Sequence, residues 1–178
     1  MSRLAAPSIN EAPEAARALF DQIKKGMGKV PNAYATIGAL SPASLALMLG
    51  GDAALSGGSL SRAEIEAVRL AVSAQNGCDY CVAAHSLVGK MAGLRPDELQ
   101  ALRAGLPTGE AKRDALVDFA KHVASTQGTV EAGWVQEILE TGYTPTQVIE
   151  TLLVIALISF TNLVNRVNDT KIDFPTPA

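Results

Sequence analysis

Glycine, proline and hydroxyl residues divide the sequence into short segments of helical period, and this punctuation limits the folds that the chain can adopt. Pro13 and Pro42 occupy positions that suit the first turn of a helix. Ser61 and Thr144 each precede a glutamate or glutamine by three residues, which is the spacing of a capping box. Because no segment alternates as a strand does, the pattern predicts an all-α protein of about eight helices.

The same signals set the expected boundaries. Helical segments are predicted over residues 13–25, 30–40, 41–55, 61–77, 78–93, 96–104, about 110–126, about 130–140 and 145–168. With 48% hydrophobic but only 4% aromatic residues, the composition favours packed helices over a sheet sandwich. No low-complexity linker interrupts the chain, so we expect a single domain over residues 1–178, with an N-terminal arm over 1–12 and an irregular tail over 170–178.

Charge and cysteine content restrict the class of partner and the compartment. The net charge is −3, and the 15 lysine and arginine residues are scattered along the chain. This distribution argues against binding of nucleic acid or of an anionic membrane surface. The N-terminal residues lack the apolar run of a signal peptide, and two cysteines do not make a secreted disulfide scaffold. We therefore expect a cytoplasmic protein.

One apolar run, TLLVIALISFTNLV at 151–164, raises the question of a membrane span. It is shorter than the roughly 20 residues that cross a bilayer, and it contains threonine, serine and asparagine. We expect a buried core helix there and no membrane association.

The stretch GCDYCVAAHS at 77–86 places both cysteines and one of the two histidines within eight residues of each other. At about 100° per residue, Cys81 lies about 60° from Cys78 around a helix, and His85 falls between them. All three side chains then share one largely apolar face at a helix start. The unpaired amides and the macrodipole of a helix N-terminus stabilise a thiolate.

Several interpretations of this cluster compete. A structural disulfide is disfavoured in a reducing cytoplasm, and covalent haem attachment requires a histidine directly after the second cysteine. A zinc site formed by Cys78, Cys81 and His85 lacks a fourth ligand, because the other histidine, His122, is distant in sequence. A further alternative is that both cysteines are inert buried thiols. A redox-active pair accounts for both cysteines and the histidine, so it is favoured, with no metal and no cofactor.

Glu66 is a charged residue in the otherwise apolar segment IEAVRLAVSA at 65–74. A buried carboxylate needs a partner or a chemical role. It can pair with Arg69 or Arg62 on its own helix, or it can accept a proton from His85 or Cys81 on the next helix. The sequence spacing leaves these alternatives equally open.

The pattern from Glu66 through CDYCVAAH, with eleven residues between the glutamate and the first cysteine, is quite specific. Together with LSRAEIEAVRLAVSAQNG before it, GKVPNAYATIGALSP at 28–42 and FTNLVNRVNDTKIDFP at 160–175, it resembles the alkylhydroperoxidase-D-like (AhpD-like) branch of the carboxymuconolactone decarboxylase superfamily. The likeness covers most of the chain. It departs from the best-studied members at Tyr80, where they carry a second histidine between the cysteines.

This resemblance implies an AhpD-like helical bundle that assembles as a homo-oligomer, a trimer or hexamer. It also implies a thiol peroxidase that reduces organic hydroperoxides or hydrogen peroxide and is itself reduced by an external dithiol. Cys81 would be the peroxidatic thiol and Cys78 the resolving thiol, with Glu66 and His85 as the proton relay. The decarboxylase branch lacks the cysteine pair and is the less favoured alternative.

Two functions of other classes stay as alternatives. A redox-responsive binding or assembly protein would use the cysteine pair to change its packing without efficient turnover. A metal-binding module would carry zinc.

Other polar and aromatic residues receive simpler interpretations. Asn162, Asn165, Arg166 and Asp169 recur at helical spacing near the end of the last segment. We expect a solvated helix end or a subunit contact there, with lining of the thiol pocket as the alternative. His122 is expected at the surface. Trp134 and Tyr143 are expected in the core or at an interface.

Overall fold

The computed structural model describes residues 2–177. Within this range the chain forms nine helices and no strand, which confirms the all-α prediction. Each of the nine predicted segments corresponds to one helix, so the overall estimate of about eight was one too low. The helices are α1 (Glu14–Met27), α2 (Asn32–Leu40), α3 (Pro42–Ser56), α4 (Arg62–Gln75), α5 (Asp79–Met91), α6 (Pro96–Ala104), α7 (Ala111–Thr126), α8 (Ala132–Glu140) and α9 (Pro145–Asn168).

The capping signals that were read from the sequence form as expected. Ser61 and Thr144 both make reciprocal capping boxes at the starts of α4 and α9, and Ser41 caps α3 directly before a first-turn proline. Each box satisfies two backbone amides that a helix start otherwise leaves without partners. These local interactions explain why the predicted boundaries lie close to the observed ones.

Helix α4 lies at the centre of the molecule and packs against α5, α6, α7 and α9. Its buried residues surround the helix rather than forming one stripe, and Val68, Leu70 and Val72 are completely buried. A helix that is buried on all sides must satisfy or pair any charge it carries. The position of α4 therefore makes the carboxylate of Glu66 the most constrained charge in the core.

Gly77 sets the direction of the chain between α4 and α5. It adopts φ +64°, a left-handed conformation that favours glycine. Cys78 follows as the N-cap of α5, and its thiol accepts a hydrogen bond from the amide of Cys81. The tight turn packs α5 along α4, so the cysteine pair lies beside the middle of the core.

Helix α9 differs from the fully buried helix that the apolar run predicted. It is 24 residues long, and only 28% of its most apolar 18-residue window is buried. One side packs against α3, α4 and α5, while the other exposes large apolar side chains: Ile149, Leu152, Leu153, Leu163 and Val167. The capping box extends the helix well beyond the apolar run, and a single long helix across one side of the bundle can bury only one face.

The length and composition of α9 alone would allow it to cross a membrane. One such helix is weak evidence for a span, because the core helix of a water-soluble protein meets the same criteria. Here the buried side of α9 carries Asn162, Asn165 and Asn168, which are all hydrogen-bonded to other parts of the bundle.

Candidate functional site

Cys78 and Cys81 lie together at the start of α5, and both are free thiols. They are 1% and 2% exposed, respectively. The amide of Cys81 donates to the sulfur of Cys78 at 3.4 Å. The two sulfurs are therefore held at a helix N-terminus, where exposed amides and the helix dipole favour negative charge.

The two thiols differ in acidity. A hydrogen bond from Cys78 lowers the pKa of Cys81 to about 6, against the opposing effect of burial; Asn165 and the positive charge of His85 lower this pKa further. The same hydrogen bond and burial raise the pKa of the Cys78 thiol. The pair therefore holds one proton on Cys78 and leaves Cys81 as the thiolate near neutral pH.

Asn165 on α9 contributes directly to the environment of the thiolate. Its Nδ2 donates to the sulfur of Cys81 at 3.3 Å, and the side chain is buried. Its Oδ1 is also buried and has no hydrogen-bond partner among the described residues. The amide thus stabilises the thiolate with one end and presents a free acceptor with the other.

Glu66 contacts both Arg69 on its own helix and His85 on the next helix, the two kinds of partner between which its sequence position did not decide. Its Oε1 accepts from Arg69 at 2.9 Å, and its Oε2 lies 2.7 Å from Nδ1 of His85. Burial raises the pKa of Glu66, but the charges and hydrogen bonds of His85 and Arg69 outweigh it, so the net pKa is below its usual range. Arg62, the other candidate partner, begins α4 and is not among the contacts of Glu66.

The charged contacts continue beyond Arg69 to Asp52, which no sequence pattern indicates. Arg69 donates to Asp52 on α3, and Asp52 is partly exposed. Burial raises the pKa of Asp52 even though Arg69 opposes this effect. A charged chain thus runs from His85 through Glu66 and Arg69 to Asp52. No pattern near Asp52 could have indicated this contact, because it joins side chains on two helices that are separate in sequence, α3 and α4.

Several of these groups line one cavity, which we call the thiol cavity. Its volume is about 70 Å³. The polar groups at its wall are Cys81, His85, Arg69, Asp52 and Asn165, and its apolar and aromatic wall includes Met27, Tyr34, Met48, Val88, Leu157 and Phe174. A thiolate at the wall of a mostly apolar cavity, close to an imidazole, can attack a small organic electrophile.

Tyr80, which separates the two cysteines in sequence, fixes the C-terminal tail. Its hydroxyl donates to Asp173 at 2.8 Å and accepts from the amide of Ala33 at 3.1 Å. Its ring meets Phe174 edge to face at 5.5 Å. Lys29 forms an ion pair with Asp173 at 2.8 Å and lies over the ring of Phe174. The tail, over residues 171–174, is therefore tied to α2 and to the cysteine helix.

The expectation of a solvated end or subunit contact at the last helix is wrong for two of its four residues. Asn162 and Asn165 are 2% and 4% exposed. Asn162 hydrogen-bonds Ser73 and Asn76, while Asn165 contacts Cys81. Arg166 and Asp169 are exposed. The amides face α4 and α5 because this side of α9 crosses the start of the cysteine helix.

His122, Trp134 and Tyr143 lie away from the thiol cavity. His122 is not simply a surface residue, because its ring stacks on Trp134 with centroids 4.1 Å apart. Tyr143 is buried in the core, and its hydroxyl donates to Glu64 at 2.7 Å. Neither of these pairs lines the thiol cavity. Across residues 2–177, no group of three or more histidine, cysteine, aspartate or glutamate side chains could hold a metal ion.

Fold and site together define a class: an all-α protein with a vicinal thiol pair at a helix start and a carboxylate–imidazole pair beside it. Residues 42–121 match the sequence model of the carboxymuconolactone decarboxylase family. This segment contains Glu66, both cysteines and His85. Over this segment the chain is similar to the carboxymuconolactone decarboxylase family. No curated protein matches its sequence.

Solved structures show the same fold. A peroxidase-related protein from Ralstonia eutropha, described as an alkylhydroperoxidase AhpD core, superposes with a TM-score of 0.85 at 23% identity, covering 97% of this chain and 92% of its own. A peroxidase-related protein from Silicibacter superposes with a TM-score of 0.83 at 22% identity, covering 96% of this chain and 91% of its own. The debrominase Bmp8 superposes with a TM-score of 0.76 at 19% identity, covering 94% of this chain and 90% of its own. Identities this low establish the fold, and the debrominase shows that proteins with this fold differ in chemistry.

Proposed function

We propose that the protein is a thiol-dependent peroxidase that reduces organic hydroperoxides, or hydrogen peroxide, through a disulfide between Cys78 and Cys81. The observation that carries this proposal is the pair of free thiols at the start of α5, with Cys81 at the wall of the thiol cavity and the Glu66–His85 pair beside it. The likeness to peroxidase-related proteins adds support at the level of fold.

Each of the four residues has its own step in the proposed reaction. The Cys81 thiolate attacks the terminal oxygen of the hydroperoxide, the O–O bond breaks, and the leaving alkoxide takes a proton to form an alcohol. His85, held by Glu66 at 2.7 Å, supplies that proton, and Glu66 stabilises the imidazolium before transfer. Cys78 then attacks the sulfenic sulfur, water leaves, and a disulfide forms.

The thiol cavity favours organic over inorganic peroxide. Its methionine, leucine, valine and phenylalanine side chains can bury an alkyl or aryl group, and that burial contributes about 25 cal/mol for each Å² removed from water. Hydrogen peroxide gains nothing from these contacts. The preference is expected in the Michaelis constant rather than in the chemical step, because the reacting oxygen atoms are the same.

A direct test combines stoichiometry with a variant pair. Reduced protein is mixed with cumene hydroperoxide, and free thiols are counted; loss of two thiols for each peroxide consumed is expected. Cys81→Ser should abolish peroxide consumption. Cys78→Ser should consume a single equivalent and stop as a sulfenic acid.

Two results would refute the proposal: retention of both thiols in the wild type, or undiminished consumption by Cys81→Ser. Sustained turnover with dithiothreitol separates an enzyme from the alternative, a redox-responsive assembly protein. That alternative predicts stoichiometric oxidation with a change of oligomer size and no sustained consumption.

The proposal includes homo-oligomeric assembly, as a trimer or hexamer, in the cytoplasm. Its support is the row of exposed leucine, isoleucine and valine side chains on α9, because apolar patches of this kind commonly mark protein contacts. Light scattering of the wild type and of Leu163→Glu tests it. A monomeric wild type would refute the assembly but not the chemistry.

A further inference from the structure

A second cavity is lined by Cys78, the first residue of the cysteine pair. We call it the tail groove, and its lining includes Gly77, Cys78, Asp79, Arg166, Lys171 and Ile172. Cys78 lines the tail groove but not the thiol cavity, whereas Cys81 lines the thiol cavity but not the tail groove. Among the residues that the structure describes, only Tyr80 and Asn165 line both cavities.

These two residues form the wall that the cavities share. Tyr80 is buried and holds the tail through Asp173, and Asn165 is buried against Cys81. The two sulfurs are presented to two separate spaces, although they are adjacent in the helix.

Cys78 lies beside Gly77 in the lining of the tail groove. Gly77 is exposed, and a Cβ at that position would meet no atom within 4 Å. The sulfur lies low in the groove, since Cys78 is 1% exposed. A slender unbranched chain fits this approach better than the surface of a folded domain does.

We propose that the tail groove is the binding site for the reductant, and that the thiolate of an external dithiol attacks the disulfide at Cys78 from this side. The inference rests on the proposed disulfide cycle and adds to it the site and direction of the reductive half. Peroxide and reductant would then use different cavities, so neither would have to leave before the other binds.

The acidity of the two thiols agrees with this direction. Thiol–disulfide exchange is faster when the departing thiol has the lower pKa. Attack at Cys78 releases Cys81, and Asn165 still donates its hydrogen bond to the departing sulfur at 3.3 Å. This bond lowers the pKa of Cys81 whether or not Cys78 carries a proton.

The electron balance of this step is complete. The first reductant thiolate bonds to Cys78 and breaks the protein disulfide, which releases the Cys81 thiolate. The second reductant thiol, as its thiolate, bonds to the first reductant sulfur and expels Cys78, which takes up a proton. The dithiol becomes a disulfide and loses two electrons, and the protein regains its thiol and its thiolate.

The charges of the tail groove provide a test that does not depend on peroxide. Arg166 and Lys171 oppose Asp79 and Asp169 around it. Lys171 is exposed, so reversing its charge should alter the preference for charged thiols without disturbing the core. Lys90 near the end of α5 is also exposed and lines neither cavity, so Lys90→Glu is a matched control with the same change of net charge.

In the experiment, wild type, Lys171→Glu and Lys90→Glu are oxidised with diamide. Each disulfide is then reduced at low ionic strength by mercaptoethanesulfonate, which is anionic, or by cysteamine, which is cationic. The ratio of the anionic to the cationic rate constant should fall about five- to tenfold in Lys171→Glu, from Coulomb interactions over about 8 Å with partial screening. Lys90→Glu should keep the ratio of the wild type within twofold.

A second measurement identifies the attacked sulfur. The reaction of the wild-type disulfide is stopped with acid after brief exposure to mercaptoethanesulfonate, and free thiols are blocked with a maleimide. Peptide mass spectrometry should find the mixed disulfide on Cys78 and the maleimide on Cys81. The reverse distribution, or equal ratios in the two charge variants, would overturn the inference. Failure of the protein to consume peroxide would refute the proposed function. It would not affect these two measurements, because the disulfide is formed with diamide and not with peroxide.

Discussion

Removal of the amide of Asn165 should raise the pKa of Cys81 without unfolding the protein. In Asn165→Leu the thiolate loses the hydrogen bond that Nδ2 donates at 3.3 Å, while a side chain with the same branching at Cγ fills the space. Hydrogen bonds to charged groups contribute about 1.5–3 kcal/mol, and a difference of 1 in pKa corresponds to about 1.4 kcal/mol. The pKa of Cys81, which is about 6 in the wild type, should therefore rise by about 1 to 2.

The consequence is a pH-dependent loss of reactivity. At pH 7 the thiolate fraction of Cys81 should fall from about nine-tenths to between about a half and a tenth. Oxidation by cumene hydroperoxide should slow by about twofold to tenfold at pH 7 and approach the wild-type rate above pH 9, where the thiol ionises in both proteins. The pKa is measured from the pH dependence of alkylation of Cys81 in a Cys78→Ser background, with and without Asn165→Leu.

Asn168→Leu is the matched control. Asn168 lies one turn further along α9, is completely buried, and bonds Leu4 and Thr170 rather than sulfur. It should lower the free energy of unfolding and leave the alkylation profile of Cys81 in place. If Asn165→Leu and Asn168→Leu shift the profile equally, or if neither shifts it, the assigned contribution of the amide is wrong.

Three further outcomes are expected. Glu66→Gln should slow peroxide reduction about 10- to 100-fold, measured by stopped flow, because His85 loses its carboxylate and general acid catalysis weakens; an unchanged rate would remove Glu66 from the relay. Tyr80→Phe should cost about 1–2 kcal/mol of unfolding free energy in urea and make the tail around Asp173 more sensitive to limited proteolysis; equal cleavage in both proteins would contradict the tail contact. Gly38→Ala should cost about 1–3 kcal/mol, seen as a lower Tm, since its Cβ would lie 2.5 Å from an aromatic ring of α1.

Much of the fold could be predicted because its determinants are local. The capping boxes at Ser61 and Thr144, the left-handed glycine at Gly77 and the N-cap at Cys78 act within a few residues of where they stand. The spacing of Cys78, Cys81 and His85 likewise depends only on one helix. These features need no knowledge of which helix packs against which.

The contacts of the site depended on packing and could be predicted only in part. Glu66 was recognised as a buried charge, yet its spacing could not choose between Arg69 and His85, and the carboxylate contacts both. Asp52 was not considered, because no local pattern marks a residue whose partner lies on another helix. Asn165 was expected mainly at a solvated end, since an asparagine late in a helix is usually exposed.

The sequence by itself therefore determined the helices, their ends and the grouping of the two thiols with an imidazole, because hydrogen bonds between near neighbours in the chain fix these. Tertiary structure decided that Asn165 faces the sulfur, that Asp52 extends the charged chain, and that Tyr80 and the tail divide two cavities. Each of these contacts joins residues that are far apart in sequence. Their geometry follows from how whole helices bury their apolar faces together, and this is not encoded in any one segment.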